Sequence, residues 1–167
     1  MPLPISSYKR KLVSSLVNSP QLIELLNSDY VIDGECEEAD SLIYKQIFPY
    51  YYIPEKQEEE KAYVILKVNA PYRVDKMYKK VTVYVMVISH RNIMEVKNAG
   101  GTRIDLMGES IESIFDGRDD FGFGEMVMTS TNEVHINDSY EAREMVFTVD
   151  EFNQDACKQD GQTNNSY

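Results

Sequence analysis

Acidic side chains with the potential for metal or acid–base chemistry are concentrated in residues 113–126, SIFDGRDDFGFGEM. This stretch contains four carboxylates, which are Asp116, Asp119, Asp120 and Glu125. Carboxylates that converge from strands and loops hold the metal ions of two-metal nucleases, and the string DFG at 120–122 also occurs in protein kinases. These carboxylates, however, lack the spacing of a calcium loop and follow no kinase catalytic loop. We therefore interpret residues 118–124 as a mobile, solvated acidic loop and predict no metal site there.

Histidine and cysteine, the other side chains that commonly do chemistry, are sparse. His90 and His135 have no partner at the spacing of metal motifs such as HExxH or CxxC. Cys36 and Cys157 are the only cysteines, which favours free thiols in a reducing compartment. No nucleophile elbow, phosphate-binding loop or dinucleotide fingerprint occurs. We therefore expect a protein that is not an enzyme and needs no cofactor, and a small metal-dependent hydrolase is the least favoured hypothesis.

Charge is distributed unevenly along the chain, whose net charge is −11. Residues 61–100 carry eight bases and two acids, whereas residues 101–167 carry four bases and fifteen acids. The acidic excess argues against nucleic acid as the main partner, because a nucleic-acid binder must supply cations to the phosphates. One interpretation is that different solvated faces differ in sign. The other is head-to-tail self-association, in which a basic flank of one copy meets an acidic flank of the next.

The chain divides into four predicted segments. Residues 1–28 have two amphipathic helical patterns, and residues 29–60 form an acidic and tyrosine-rich connector in which residues 41–48 are expected to form a short helix before Pro49. Residues 61–152 form the core domain, and residues 153–167 are a polar tail predicted to be disordered. No apolar run is long enough to cross a membrane, and the first residues lack the pattern of a secretory signal.

Periodicity in residues 61–152 predicts a sheet with a helix. The segments KAYVILKVNA and KKVTVYVMVISHR read as a hairpin, and the second is apolar on both sides, as a central strand is. A helix follows Thr102 as N-cap and ends at Gly117. Two further strands follow, the last being EAREMVFTVDEF. The predicted fold class is α+β, a mostly antiparallel sheet of four or more strands with one principal helix packed on it, plus N-terminal helices.

The order of these segments resembles a known family. A long apolar strand (KKVTVYVMVISHR), the helix in GTRIDLMGESIESIFDG, an acidic loop and a final strand (EAREMVFTVDEF) are similar to the tail terminator, or head–tail joining, proteins of tailed bacteriophages. The resemblance covers residues 60–152. The best-matching helix residues are Arg103, Asp105 and Ile111, and the closing strand matches at Phe147-Thr148-Val149.

The resemblance implies a structural virion protein. Proteins of this family form a six-membered ring that caps the tail tube and docks to the neck, so the expected partners are other copies of the chain, the tube protein and the neck or connector proteins. DNA would pass through the ring without being bound tightly, and no membrane is involved. The expected location is the tail or neck of the virion, assembled in the host cytoplasm. The alternative is a monomeric adaptor or regulatory binding module.

We expect the contacts between subunits to be made by tyrosines and by charges of opposite sign. The basic hairpin turn of one copy is predicted to meet the acidic loop of its neighbour, and the three consecutive tyrosines are predicted to pack at the seam. These residues are Tyr50, Tyr51 and Tyr52; Arg73, Lys76, Lys79 and Lys80; and Asp116, Asp119 and Asp120. A rival interpretation has the basic turn touching DNA or another neck protein.

Overall fold

Three α-helices, a short 3-10 helix at Arg91–Ile93 and five strands are assigned within the part of the chain that the structure describes. A computed structural model describes residues 4–26, 40–55, 59–73, 78–122 and 124–152, with the backbone alone at residues 71–73 and 152. The elements in chain order are α1 (Ile5–Val17), α2 (Pro20–Leu25), β1 (Ile47–Phe48), β2 (Ala62–Arg73), β3 (Tyr78–His90), α3 (Arg103–Phe115), β4 (Val127–His135) and β5 (Tyr140–Phe152). The α+β prediction is confirmed. Among the described helices, none is long and apolar enough to cross a membrane.

The strands form one sheet in the order β1-β2-β3-β5-β4. The pairs β2–β3, β3–β5 and β5–β4 are antiparallel, and β1 runs parallel to β2 through Ile47 and Phe48. The central strand β3 is paired with β2 on one side and with β5 on the other. This position explains why its sequence is apolar on both sides, because both faces of the middle strand are covered.

The two faces of the sheet carry separate apolar clusters. On one face the helices pack on the valines of β3, with Leu12, Leu16, Met107, Phe115 and Phe147 among the buried residues. The other face carries a smaller cluster whose buried members are Phe48, Tyr63, Ile65, Met86, Ile88, Tyr140 and Ala142. The helices therefore form one layer on one face of the sheet, and on the opposite face Tyr52, Val134 and Ile136 pack against the smaller cluster.

The principal helix has the predicted signals at its ends. The Thr102 hydroxyl accepts a hydrogen bond from the Asp105 amide, which satisfies one of the free N–H groups of the first turn. Gly117 has a φ of 78° and donates its N–H to Met126 O at 2.8 Å, so the left-handed position at the helix end is occupied by glycine.

The short helix expected over residues 41–48 is wrong. The carbonyl of Leu42 accepts the amides of Lys45, Gln46 and Ile47 and closes a tight turn, after which the chain extends along β2. Tyr44 lies at the tip of this turn with a φ of 65°, which is costly for a bulky residue and ends any helix. The Val64 N–H donates to Gln46 O at 2.7 Å, and β1 pairs with β2, so this segment bonds to the sheet and not to itself as a helix would.

The N-terminal helices contribute to the same core as the sheet. Tyr8, Leu12 and Leu16 of α1 and Leu22 of α2 are all fully buried in the helix-side cluster. Of the predicted connector, residues 29–39 and 56–58 lie outside the described residues, and so does the predicted disordered tail at 153–167. The proposed segment boundaries stay a prediction.

Candidate functional site

The acidic loop after α3 uses two of its carboxylates within the chain. Asp116 Oδ1 accepts the Met128 amide at 2.8 Å, which joins the end of α3 to the start of β4. Asp120 Oδ1 accepts a hydrogen bond from Arg118 Nε at 2.8 Å, and hydrogen bonding to Arg118 lowers the pKa of Asp120. Asp119 is exposed. Across the described ranges, no three histidine, cysteine, aspartate or glutamate side chains are grouped so that they could hold a metal ion.

The same loop is anchored in the core through Phe121, which the prediction of a solvated loop did not include, and its mobility stays a prediction. Phe121 is fully buried and packs edge-on against Phe115, with ring centroids 6.0 Å apart. The Arg118 guanidinium lies over the Phe121 ring, 4.6 Å from its centre. Gly122 lies so close to β5 that a Cβ there would be 2.5 Å from the Asp150 carbonyl oxygen. A buried aromatic and a tight backbone approach anchor this loop.

The basic hairpin end lies beside acids of its own sheet. Lys79 and Lys80 are paired in register with Glu151 and Asp150, and Lys80 Nζ is 4.0 Å from Asp150 Oδ1. An exposed pair at this distance contributes about 0–1 kcal/mol. The side chain of Arg73 and all of Lys76 lie outside the described residues.

The basic hairpin and the acidic loop share one end of the sheet. Gly122 approaches Asp150, whose register partner is Lys80. They occupy opposite sides of that end, the hairpin joining β2 to β3 and the loop leading into the outer strand β4. Contact between the hairpin of one copy and the loop of the next stays a prediction.

Three of the tyrosines near β1 are strongly exposed. Tyr44, Tyr50 and Tyr51 have 65%, 46% and 58% of their surface exposed. Tyr52 differs, because it stacks on Phe48 with ring centroids 4.1 Å apart and belongs to the edge of the smaller core cluster. We call the exposed set, together with Ile53 at 39% exposure, the tyrosine surface. Tyr44 was not among the interface residues predicted from the sequence, because its exposure depends on the tight turn after Leu42.

A groove of about 750 Å³ lies between α1 and the segment that leads into β1. Its apolar lining includes Val13 and Val17 of α1 and the rings of Tyr44 and Tyr50. Lys9 and Arg10 stand on the α1 side. The groove combines apolar area with these two cations and one carboxylate, Asp40, and is continuous with the tyrosine surface.

Arg103, the first of the family-pattern residues, is a buried structural arginine. Its Nη1 donates to Leu25 O at 2.6 Å and its Nε donates to Ile93 O at 2.7 Å. Burial lowers the pKa of its guanidinium. The carbonyl it binds lies at the C-terminus of α2, where cations are favourable. In the sequence, Arg103 lies four residues before Met107 on the apolar side of α3, and this position is the signal that the arginine is buried.

Gln46 also holds the C-terminal end of α2, and this role was not predicted. We call Arg103 and Gln46 together the clamp. The Gln46 side-chain Nε2 donates to Leu26 O at 2.9 Å and to Ala62 O at 3.0 Å, and the residue is 5% exposed. The amide therefore joins the end of α2 to the start of β2. No local pattern marks such a residue, because its partners are 16 and 20 positions away.

Asp105 and Ile111, the other family-pattern residues, are also structural. Ile111 is fully buried in the core. Asp105 Oδ1 accepts from Arg143 Nη2 at 2.6 Å, and Arg143 also reaches Glu133 of β4. Burial alone would raise the pKa of Asp105, but the hydrogen bonds from Thr102 and Arg143 outweigh it and lower that pKa. Arg143 thus ties the start of α3 to the outer strand.

Comparison with known proteins gives one family match. A family model described as YomW matches residues 19–149, which includes α2, α3 and the sheet up to the last residues of β5. No curated protein matches the chain.

Proposed function

We propose that the chain, which belongs to the YomW family, is a structural component of a phage particle, in keeping with a family name of the Bacillus SPbeta prophage type that suggests a phage-associated protein. In this proposal, copies of the chain form a ring, of six subunits by the resemblance to tail terminators, where the tail tube meets the neck. The tube protein and the neck proteins are its neighbours. No catalytic role and no cofactor are part of the proposal.

The observation that carries the proposal is the tyrosine surface. Four large apolar or aromatic side chains, each at least 39% exposed, occur within residues 44–53. Contiguous exposed area of this kind on a soluble domain is typical of a protein interface. Tyrosine is enriched at such interfaces because it supplies a large contact area and loses little side-chain entropy.

The opposite side of the sheet differs in character, which favours a ring. There β4 is the outer strand, rich in threonine, serine and asparagine, and it is paired on one side with β5. A surface that is aromatic on one flank and polar on the other is not self-complementary, so it suits a head-to-tail contact. Head-to-tail contacts close into rings when the rotation between neighbours permits.

The acidic excess of residues 101–167 supports a passage for DNA. An acidic lining repels the phosphate backbone, so DNA would slide through without being held. Charge reversal of Asp119 and Asp120 to lysine is expected to impair DNA ejection or assembly, measured by phage titre with the variant supplied in trans. Unchanged ejection and assembly would remove the support for an acidic channel.

The direct test is the mass of the protein in solution. We expect a ring-sized species in light scattering and rings in negative-stain images, and the double substitution Tyr44→Ser with Tyr50→Ser is expected to shift the mass toward the monomer. Lys97→Ser is the matched control, because Lys97 is exposed in the loop before α3, away from β1. A wild-type monomer at micromolar concentration would favour the adaptor hypothesis. Metal-dependent hydrolysis that disappears in an Asp119→Ala and Asp120→Ala double variant would favour the enzyme.

A further inference from the structure

Two cations of the groove are free to meet an acidic partner. Among the described residues, neither Lys9 nor Arg10 makes an ion pair or a side-chain hydrogen bond, and Arg10 is exposed. The neighbouring cation of α1, Lys11, differs because it donates to the Asp120 carbonyl of the acidic loop. The apolar area from Val13, Val17 and the tyrosine rings lies in the same groove as the two free cations, which outnumber its one lining acid, Asp40. A segment that fits this groove carries carboxylates next to apolar surface.

Helix α3 carries a stripe of carboxylates at helical spacing. Asp105, Glu109, Glu112 and Asp116 lie 4, 3 and 4 positions apart, so they share one side of the helix. The two end members point to the β4 side, since Asp105 binds the arginine that reaches Glu133 and Asp116 binds the Met128 amide. The two middle members are exposed and make no ion pair within the described part of the chain.

The groove and the stripe lie on opposite flanks of the same helix layer. Helix α1 contacts β2, and the groove lies on its β1 side. Helix α3 contacts β3, β5 and β4, and its acidic stripe faces the β4 side. When copies stand side by side in the order of the sheet, the acidic flank of one copy faces the basic groove of the next.

We propose that the groove between α1 and the β1 segment receives the acidic stripe of α3 from a second copy of this chain, with Lys9 and Arg10 facing Glu109 and Glu112. This inference rests on the proposed ring. It differs from the contact expected between the hairpin and the acidic loop, where Lys80 and Asp120 already have partners within the chain. Charges at the edge of such a contact set the register and the partner, and the apolar groove supplies the buried area.

Charge reversal with mixing tests the pairing. One variant carries Lys9→Glu with Arg10→Glu, and the second carries Glu109→Lys with Glu112→Lys. Each alone presents like charges at every contact, so we expect each to lose assembly in light scattering while its circular dichroism and thermal unfolding stay like wild type. An equimolar mixture is expected to regain assembly as even-numbered rings of alternating variants, and so is the chain that carries all four substitutions. The matched controls are Glu95→Lys and Lys97→Glu, two exposed charges of the loop before α3.

Each outcome has one meaning. If wild type forms no ring, the proposed function fails and the pairing fails with it. If wild type assembles and either variant assembles equally well, the ring stands and the pairing between groove and stripe is wrong. If both variants are folded monomers and neither the mixture nor the fourfold variant assembles, the two charged sets do not face one another, and the inference is overturned. Regained assembly that weakens as salt rises is the supporting result, because screening shortens the reach of charges.

Discussion

The substitution Gly122→Ala is expected to destabilise the fold strongly although it adds one methyl group. A Cβ at this position would lie 2.5 Å from the Asp150 carbonyl oxygen, 2.8 Å from Val149 Cγ2 and 3.2 Å from the Tyr8 hydroxyl. The nearest atom belongs to the backbone of β5, so no side-chain rotation relieves the overlap. Overpacking of this kind costs about 1–3 kcal/mol.

A second contribution comes from the buried hydrogen bond that Tyr8 donates to Glu151. Burial, and then the Glu151 carboxylate, raise the pKa of Tyr8, so the phenol stays protonated and donates. A loop displaced from β5 disturbs this pair, and a buried group left without its partner costs about 1–3 kcal/mol. The sum is about 2–6 kcal/mol, a large part of the about 5–15 kcal/mol by which a domain is stable.

The assay is urea unfolding followed by far-ultraviolet circular dichroism, at one protein concentration, because the chain has no tryptophan. Gly124→Ala and Gly100→Ala are the matched controls, since a Cβ at either position has nothing within 4 Å. Alanine at such sites is neutral or stabilises by about 0.4–1 kcal/mol through the unfolded chain. If Gly122→Ala unfolds at the same urea concentration as Gly124→Ala, the close approach of this loop to β5 does not exist.

Three further results are expected. Arg103→Met removes the donor to Leu25 O and is expected to lower the free energy of unfolding by about 1–3 kcal/mol. The control Arg91→Met, at an exposed pair with Glu141, is expected to lower it by about 0–1 kcal/mol. Equal losses in the two variants would contradict the role of Arg103 in the clamp. Because the folded pKa of Asp105 is lowered, its contribution to stability is present above its ordinary pKa and is lost as pH falls through the folded pKa. Asp105→Asn should therefore be less stable than wild type at neutral pH and approach it in acid, and a gap in unfolding midpoint that stays constant with pH would refute this. In limited proteolysis, wild type should resist cleavage at Phe121, and rapid cleavage there would show that the loop is not anchored.

The elements that sequence reasoning located are those with a long periodic pattern. The strand from Tyr78 to His90 alternates between two apolar sets, and the structure places them in the two core clusters. The principal helix had a cap, an apolar stripe and a terminal glycine, and all three signals were confirmed. These elements could be predicted because burial of one face requires an apolar residue at every second position of a strand, or at every third or fourth position of a helix.

The features that the sequence did not predict depend on contacts between residues that are far apart in the chain. The turn before β1 has a short apolar run ahead of a proline, which is compatible with a helix or with a strand, and its pairing with β2 decided between them. Phe121 is a single aromatic among acids, so no period marked it as buried. The clamp by Gln46 follows from where α2 ends relative to β2, and no local pattern reports that distance.

The pairing of β3 with β5 has a consequence for the chain during its synthesis. All thirteen residues of β3 are matched to β5, from Tyr78 opposite Phe152 to His90 opposite Tyr140. Until β5 leaves the ribosome, β3 is therefore an outer strand, long, apolar and unprotected on that side. Translation at about 5–20 residues per second leaves this edge open for several seconds, long enough for nascent chains on one messenger to pair with one another. Chains that stop before β5 are expected to be captured by chaperones or to precipitate. Only chains that include β5 are therefore expected to fold and become subunits.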